Sequence, residues 1–117
     1  MTLIRKSDLV ESIADALQYI SYYHPADFLQ ALYQAYLLEQ SPAAKDAMAQ
    51  ILVNSRLCAE GKRPICQDTG IVSVFCNVGM LLRWDSDDSF EDMINAGVRL
   101  AYTNPDNPLR PSIVSDP

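Results

Sequence analysis

The sequence has little positive charge, few glycines and no long apolar run. Its 117 residues contain nine lysines and arginines against fifteen aspartates and glutamates, which leaves a formal net charge of -6. A protein that binds a phosphate backbone needs a basic footprint, so this balance argues against a nucleic-acid partner. No stretch approaches the roughly 18 consecutive apolar residues that a membrane span requires, so we predict no membrane partner either.

Disulfides and a targeting signal are the next features that we expect to be absent. The first residues, Met1 to Asp8, lack a long apolar core and a small-residue cleavage site, which argues against a secretory signal. Cys58, Cys66 and Cys76 make an odd number of cysteines. We therefore expect free thiols in a reducing compartment and a cytoplasmic protein.

What the sequence does contain is the composition of a single globular domain. Apolar residues make up 49% of the chain and charged residues 21%. Four segments place apolar residues at three- and four-residue spacing, which predicts four helices. The predicted helices run from Asp8 to Tyr22, from Pro25 or Asp27 to Glu39, from Ser41 to Ala59, and from Ser89 to Tyr102.

The stretch from Gly70 to Trp84 has a different period. One alternate face, from Val72 to Trp84, is entirely apolar, while the other is mixed and includes Ile71 and Phe75 with Ser73 and Asn77. This alternation predicts a long strand or a bent β-hairpin, whose fully apolar face should be covered by the first, third or fourth helix. Together these elements predict an α+β fold that is predominantly helical, with about four helices and one long strand or β-hairpin.

The most unusual chemistry lies between the third helix and this strand. Cys66, Gln67, Asp68 and Thr69 place a thiol, an amide, a carboxylate and a hydroxyl side by side. A thiolate in such a loop could bind a soft metal or act as a nucleophile. The alternative is a polar connection with an incidental cysteine, because no second cysteine lies at the spacing of a metal-ligand pair.

The octet from Arg63 to Gly70 resembles the cluster-cysteine motif of the class I fumarases, which are iron–sulfur fumarate hydratases. Three further stretches, Ser41 to Ala47, Ile51 to Arg56 and Leu109 to Ser112, are similar to the N-terminal region of that family. The resemblance extends over nearly the whole chain. The Cys-Gln-Asp-Thr-Gly motif also occurs in the α subunit of L(+)-tartrate dehydratase and in related hydro-lyases.

This resemblance implies a [4Fe–4S] cluster that is held by three cysteines and acts as a Lewis acid on the substrate through one open iron. Cys66 matches the first cluster ligand. Gln67 and Asp68 match residues that contact a dicarboxylate substrate, and Asp68 is the candidate for proton transfer at the substrate hydroxyl. Arg110 matches an arginine that pairs with a substrate carboxylate.

The resemblance also implies what residues 1–117 lack, because the family's other two cluster cysteines lie beyond the last of them. We therefore expect an N-terminal fragment of a hydro-lyase catalytic region, inactive and without a stable cluster when alone. The expected partners are fumarate or malate, the remainder of its own chain and a second subunit in a homodimer. Two alternatives are a region of L(+)-tartrate dehydratase or another iron–sulfur hydro-lyase, and a free-standing helical interaction module.

Overall fold

The computed structural model describes residues 1–65, 71–106 and 109. The elements in these ranges are β1 (Thr2–Arg5), α1 (Lys6–Tyr22), α2 (Ala26–Leu38), α3 (Pro42–Gly61), β2 (Leu82–Asp85) and α4 (Phe90–Thr103). The predominantly helical α+β fold and the four helices are therefore confirmed. The chain divides into two compact units, one formed by Met1–Gln18 with Gln67–Pro117 and the other by Tyr19–Cys66.

The first unit contains a two-stranded parallel sheet. β1 pairs with β2 in a register that places Thr2 opposite Leu82 and Arg5 opposite Asp85. Parallel strands require a long connection, which explains why the two partners are separated by most of the chain. β1 was not predicted, since four residues are too few to show a period.

The predicted long strand or β-hairpin from Gly70 to Trp84 is wrong for Ile71–Gly79, and Gly70 lies outside the described residues. Only its end forms part of a strand, β2, and Ile71–Gly79 contains neither helix nor strand. A turn separates the two parts, with the Leu82 amide donating to the Gly79 carbonyl at 3.1 Å. The backbone groups of a strand need a neighbouring strand as hydrogen-bond partner. β1 has only four residues, and all four pair with Leu82–Asp85.

Helix α4 forms the best-packed part of the first unit. Met93 is 0% exposed, and Gly97 and Ala101 on the same face are also buried. A Cβ atom at Gly97 would lie 2.6 Å from the Cβ of Ile13, so the two helices α1 and α4 approach closely at this glycine. The helix begins as predicted, since the Ser89 hydroxyl accepts from the Asp92 amide at 3.0 Å.

The second unit contains α2 and α3. The predicted start of α3 is confirmed, with Ser41 accepting from the Ala44 amide and proline in the first turn. His24 Nδ1 lies 3.0 Å from Oγ of the buried Ser55, and its ring stacks on Phe28. Helix α2 has no buried residue, so its predicted apolar stripe is only partly covered.

Within the described ranges, no helix is both long and apolar enough to cross a bilayer.

Candidate functional site

The end of α3 leads directly toward the motif at Cys66. The helix ends at Gly61, and the residue that caps it, Lys62, adopts the left-handed conformation at φ 49°. The amides of Lys62 and Arg63 both donate to the carbonyl of Cys58, the second at 3.0 Å. These bonds satisfy a carbonyl that the last turn of a helix would otherwise leave without a partner.

Two further contacts hold the chain up to the residue before Cys66. The amide of Ile65 donates to the Ser21 carbonyl at 2.8 Å, and the Ile65 side chain is buried. The Cys58 thiol lies 3.5 Å from the Pro64 carbonyl and 3.7 Å from Asn54 Oδ1, so either oxygen can accept its one proton. Cys58 is therefore a buried structural thiol.

The predicted site residues Cys66, Gln67, Asp68 and Arg110 lie outside the described residues. Two of their immediate neighbours, Ile65 and Leu109, are buried. The chain thus packs closely at the residue before Cys66 and at the residue before Arg110. The roles of the four site residues stay predictions.

An iron–sulfur cluster needs several thiolates, and the described cysteines do not provide them. Cys58 is buried with its thiol within hydrogen-bond distance of two oxygen acceptors, while Cys76 is exposed on a segment without secondary structure. In residues 1–65, 71–106 and 109, no group of three or more histidines, cysteines or acids is placed to hold a metal. A complete cluster site therefore does not fit these residues, and Cys66 is left as a single candidate ligand.

An open cavity of about 560 Å³ lies at the end of α3. Six residues at the end of α3 and just after it line the cavity, one of them acidic and one basic: Asn54, Leu57, Cys58, Glu60, Gly61 and Arg63. Glu60 also faces Arg56 in an exposed ion pair at 3.9 Å. Exposed pairs of this kind contribute little to stability.

Sequence reasoning missed the residues that hold the approach to Cys66. It predicted no bond between Cys58 and Pro64, and it gave Ser21 no role. The bond from Ile65 uses a backbone carbonyl of Ser21 far away in the sequence. Backbone contacts between distant residues leave no side-chain signal, so no pattern in the sequence could have revealed this one.

Comparison with known proteins gives the family. The family model described as fumarate hydratase (Fumerase) matches residues 10–117. A protein of Methanocaldococcus jannaschii, named "Putative L(+)-tartrate dehydratase subunit alpha", is 34% identical over 92 residues. That alignment covers 79% of this chain and 32% of the relative, so the chain spans about a third of the relative's length. No solved structure matches.

The family match includes Cys66, Gln67, Asp68 and Arg110, as well as the contacts that hold Ile65. It also spans both compact units rather than one motif. A short chance similarity would not extend across nearly the whole sequence. The chain belongs to the fumarate hydratase family, a family of hydro-lyases.

Proposed function

We propose that this chain is the part of an iron–sulfur fumarate hydratase that carries the first cluster ligand and much of the dicarboxylate-binding site. The complete enzyme would interconvert fumarate and (S)-malate by reversible addition of water. The observation that carries this proposal is the family match over residues 10–117, because it contains the whole motif from Arg63 to Gly70.

Each candidate residue has a task that suits its chemistry. Arg110 presents a planar, permanently charged donor pair that matches a substrate carboxylate. The Gln67 amide hydrogen-bonds the substrate, and the Asp68 carboxylate moves a proton at the substrate hydroxyl. Cys66 provides one thiolate to the [4Fe–4S] cluster, which when bound supplies Lewis-acid polarisation of the substrate oxygen.

The rest of the enzyme must supply what these residues lack. One thiolate does not hold four irons, and the described cysteines Cys58 and Cys76 are not placed to help. We therefore expect this chain alone to form no stable cluster and to hydrate no fumarate. Reconstitution with iron and sulfide under anaerobic conditions tests this, and turnover of fumarate by the isolated 117 residues would contradict the proposal.

The proposal extends to the setting of the complete enzyme. We propose a homodimer in the cytoplasm, since free thiols and an oxygen-sensitive cluster suit a reducing compartment. Its partners are the dicarboxylate substrate and the remainder of the hydro-lyase.

The ligand role of Cys66 is tested by a matched pair of serine variants in the natural, complete protein. Cys66→Ser should lose both iron and activity, since a hydroxyl is a poor ligand for this soft centre. Cys58→Ser is the control, because the oxygen acceptors at Asn54 and Pro64 can receive a serine hydroxyl as they receive the thiol. Equal iron content in the two variants would show that Cys66 is not a cluster ligand.

The role of Asp68 is separated from that of Cys66 by an isosteric change. Asp68→Asn keeps the size of the side chain but cannot accept a proton as a carboxylate does. We expect full iron content and a rate reduced by about 100-fold or more, which is typical for loss of a general acid–base. Near-native turnover by this variant would contradict the assignment.

A second candidate substrate is L(+)-tartrate, which the name of the M. jannaschii relative favours. Tartrate and malate share two carboxylates, so Arg110 serves either equally well. Rates with (S)-malate, fumarate and L(+)-tartrate on one cluster-loaded preparation decide between them. Activity with tartrate alone would overturn fumarate specificity and leave the hydro-lyase assignment standing.

A further inference from the structure

A charge-free stretch of nine residues, Ile71–Gly79, lies exposed immediately after the motif. We name it the apolar segment. Ile71 is 86% exposed and Phe75 is 95% exposed, while Val74 and Val78 also show a large part of their surface. Single exposed apolar residues are common, but a contiguous run of them indicates an interaction site.

Between the described residues, the backbone of the apolar segment forms few hydrogen bonds. In the described part of the chain, its single backbone hydrogen bond is the one that the Gly79 carbonyl accepts from Leu82. Backbone amides and carbonyls that become buried must be paired. Any partner that covers these apolar side chains must therefore also pair the backbone.

The order of residues shows which kind of pairing suits the segment. Val72, Val74, Cys76 and Val78 form one fully apolar face, and the opposite face is mixed, with Ile71 and Phe75 beside Ser73 and Asn77. This is the period of a strand with two unequal faces. Its nine residues, if extended, would span about 30 Å, at roughly 3.3 Å per residue. A strand of this kind is suited to addition at an open sheet edge, where backbone bonds give affinity and alternate side chains fill an apolar surface.

We propose that the apolar segment adds as a β-strand to an open sheet edge in the remainder of the hydro-lyase, with Val72, Val74, Cys76 and Val78 facing its apolar surface. This inference rests on the proposed function. The relative is about three times as long as the stretch that matches it, so proteins of this kind carry a large further region able to supply that edge.

The position of the segment in the chain favours this occupant over a second copy. Its first residue, Ile71, follows the motif residue Gly70 directly. Strand addition to the remainder of the enzyme would bring the motif to the region that must complete the cluster. Pairing with a second copy would bury the same side chains and still leave each Cys66 as a single ligand.

Hydrogen–deuterium exchange tests the proposal on two samples. One is the natural protein isolated with its complete hydro-lyase assembly, and the other is the 117-residue chain alone. In the assembly we expect exchange of the segment's amides to slow by at least about 100-fold, because ladder hydrogen bonds protect amides from solvent. The isolated chain should be a monomer by mass, and in it the same amides should exchange freely. Fast exchange in the assembly, or protection in an isolated dimer, would overturn the proposal.

Matched charge insertions distinguish the fully apolar face from the mixed face that carries Ser73 and Asn77. Val74→Asp and Val78→Asp in the natural protein should abolish the protection, because each places a carboxylate against an apolar surface. Ser73→Asp and Asn77→Asp introduce the same charge one residue earlier, on the other face, and should retain it. Equal loss in both pairs would contradict the assigned face.

The same preparation separates this inference from the proposed function. Iron content and hydration of fumarate are measured on the assembly that is used for exchange. Protection of the segment without hydro-lyase activity would contradict the proposed function and leave strand addition standing. Activity with an unprotected segment would contradict strand addition alone.

Discussion

Helix α4 and the apolar segment are both rich in apolar residues, but they differ in how far those residues are buried. Met93 and Ala101 on the inward face of α4 are buried completely. Phe75 and Ile71 of the segment are almost fully exposed. A helix satisfies its backbone internally and needs a neighbour on one face only, whereas a strand needs both a cover and a paired edge. The periodicity of a sequence thus predicts which face is apolar, and the neighbours that are present decide whether it becomes buried.

The largest contrast should come from the same kind of truncation in both regions. Met93→Ala removes a fully buried side chain and should lower the free energy of unfolding by about 2–5 kcal/mol. Phe75→Ala removes a side chain that is already in water and should change it by less than about 0.5 kcal/mol. Urea denaturation of the isolated chain measures both. Similar urea midpoints for the two variants would contradict the predicted difference in stability between α4 and the apolar segment.

A smaller effect should follow from adding a single methyl group. At Gly97 the new carbon would lie 2.6 Å from Ile13 Cβ and 3.0 Å from the Val10 carbonyl oxygen. Alanine gains about 0.5–1 kcal/mol of helix stability over glycine, but overpacking of a rigid contact costs about 1–3 kcal/mol. We therefore expect Gly97→Ala to destabilise the chain in thermal unfolding.

Gly79→Ala is the control for that variant. Nothing lies within 4 Å of a Cβ atom at Gly79, so the added methyl group meets open space. Its melting temperature should stay close to that of the unchanged chain. A melting temperature of Gly97→Ala at or above that of the control would show that α1 and α4 separate easily at this contact.

These two regions also show how far the sequence could predict the structure. The helix periods, and the serines that begin α3 and α4, identified all four helices because those signals are local. The strand at Gly70 to Trp84 was predicted from an equally clear period and is wrong for Ile71–Gly79, since strand formation depends on a partner. The site motif was recognisable by resemblance, but the backbone bond from Ile65 to Ser21 was not.

A third prediction compares two serines, one at the start of α4 and one in the apolar segment. Ser89 accepts from the Asp92 amide at 3.0 Å, so Ser89→Ala leaves a first-turn donor without its cap and should cost about 1 kcal/mol. Ser73→Ala removes an exposed hydroxyl outside any helix and should cost less than about 0.5 kcal/mol. Denaturation midpoints measure the difference, and equal midpoints would mean that the cap contributes nothing.

The smallest predicted effect concerns pH and an ion pair just before α4. Lys6 donates a hydrogen bond to Asp88 and adds its positive charge, and both lower the pKa of that carboxyl below its ordinary value. A carboxyl with a lowered pKa stabilises the folded chain above its unfolded pKa of about 4, and this contribution is lost as pH falls through the folded value. Both side chains are exposed, so the effect should be small and weaken with salt.

Asp88→Asn should therefore flatten the loss of stability between neutral pH and pH about 3, because the variant has no carboxylate to protonate. Asp87→Asn is the matched control, since it removes the same charge one residue away and Asp87 forms no ion pair in residues 1–65, 71–106 and 109. Thermal unfolding at stepped pH, in low and high salt, should separate the two variants only in low salt. If both show the same acid dependence, the Lys6–Asp88 pair contributes no measurable stability, and the contrast within the first unit rests on apolar packing alone.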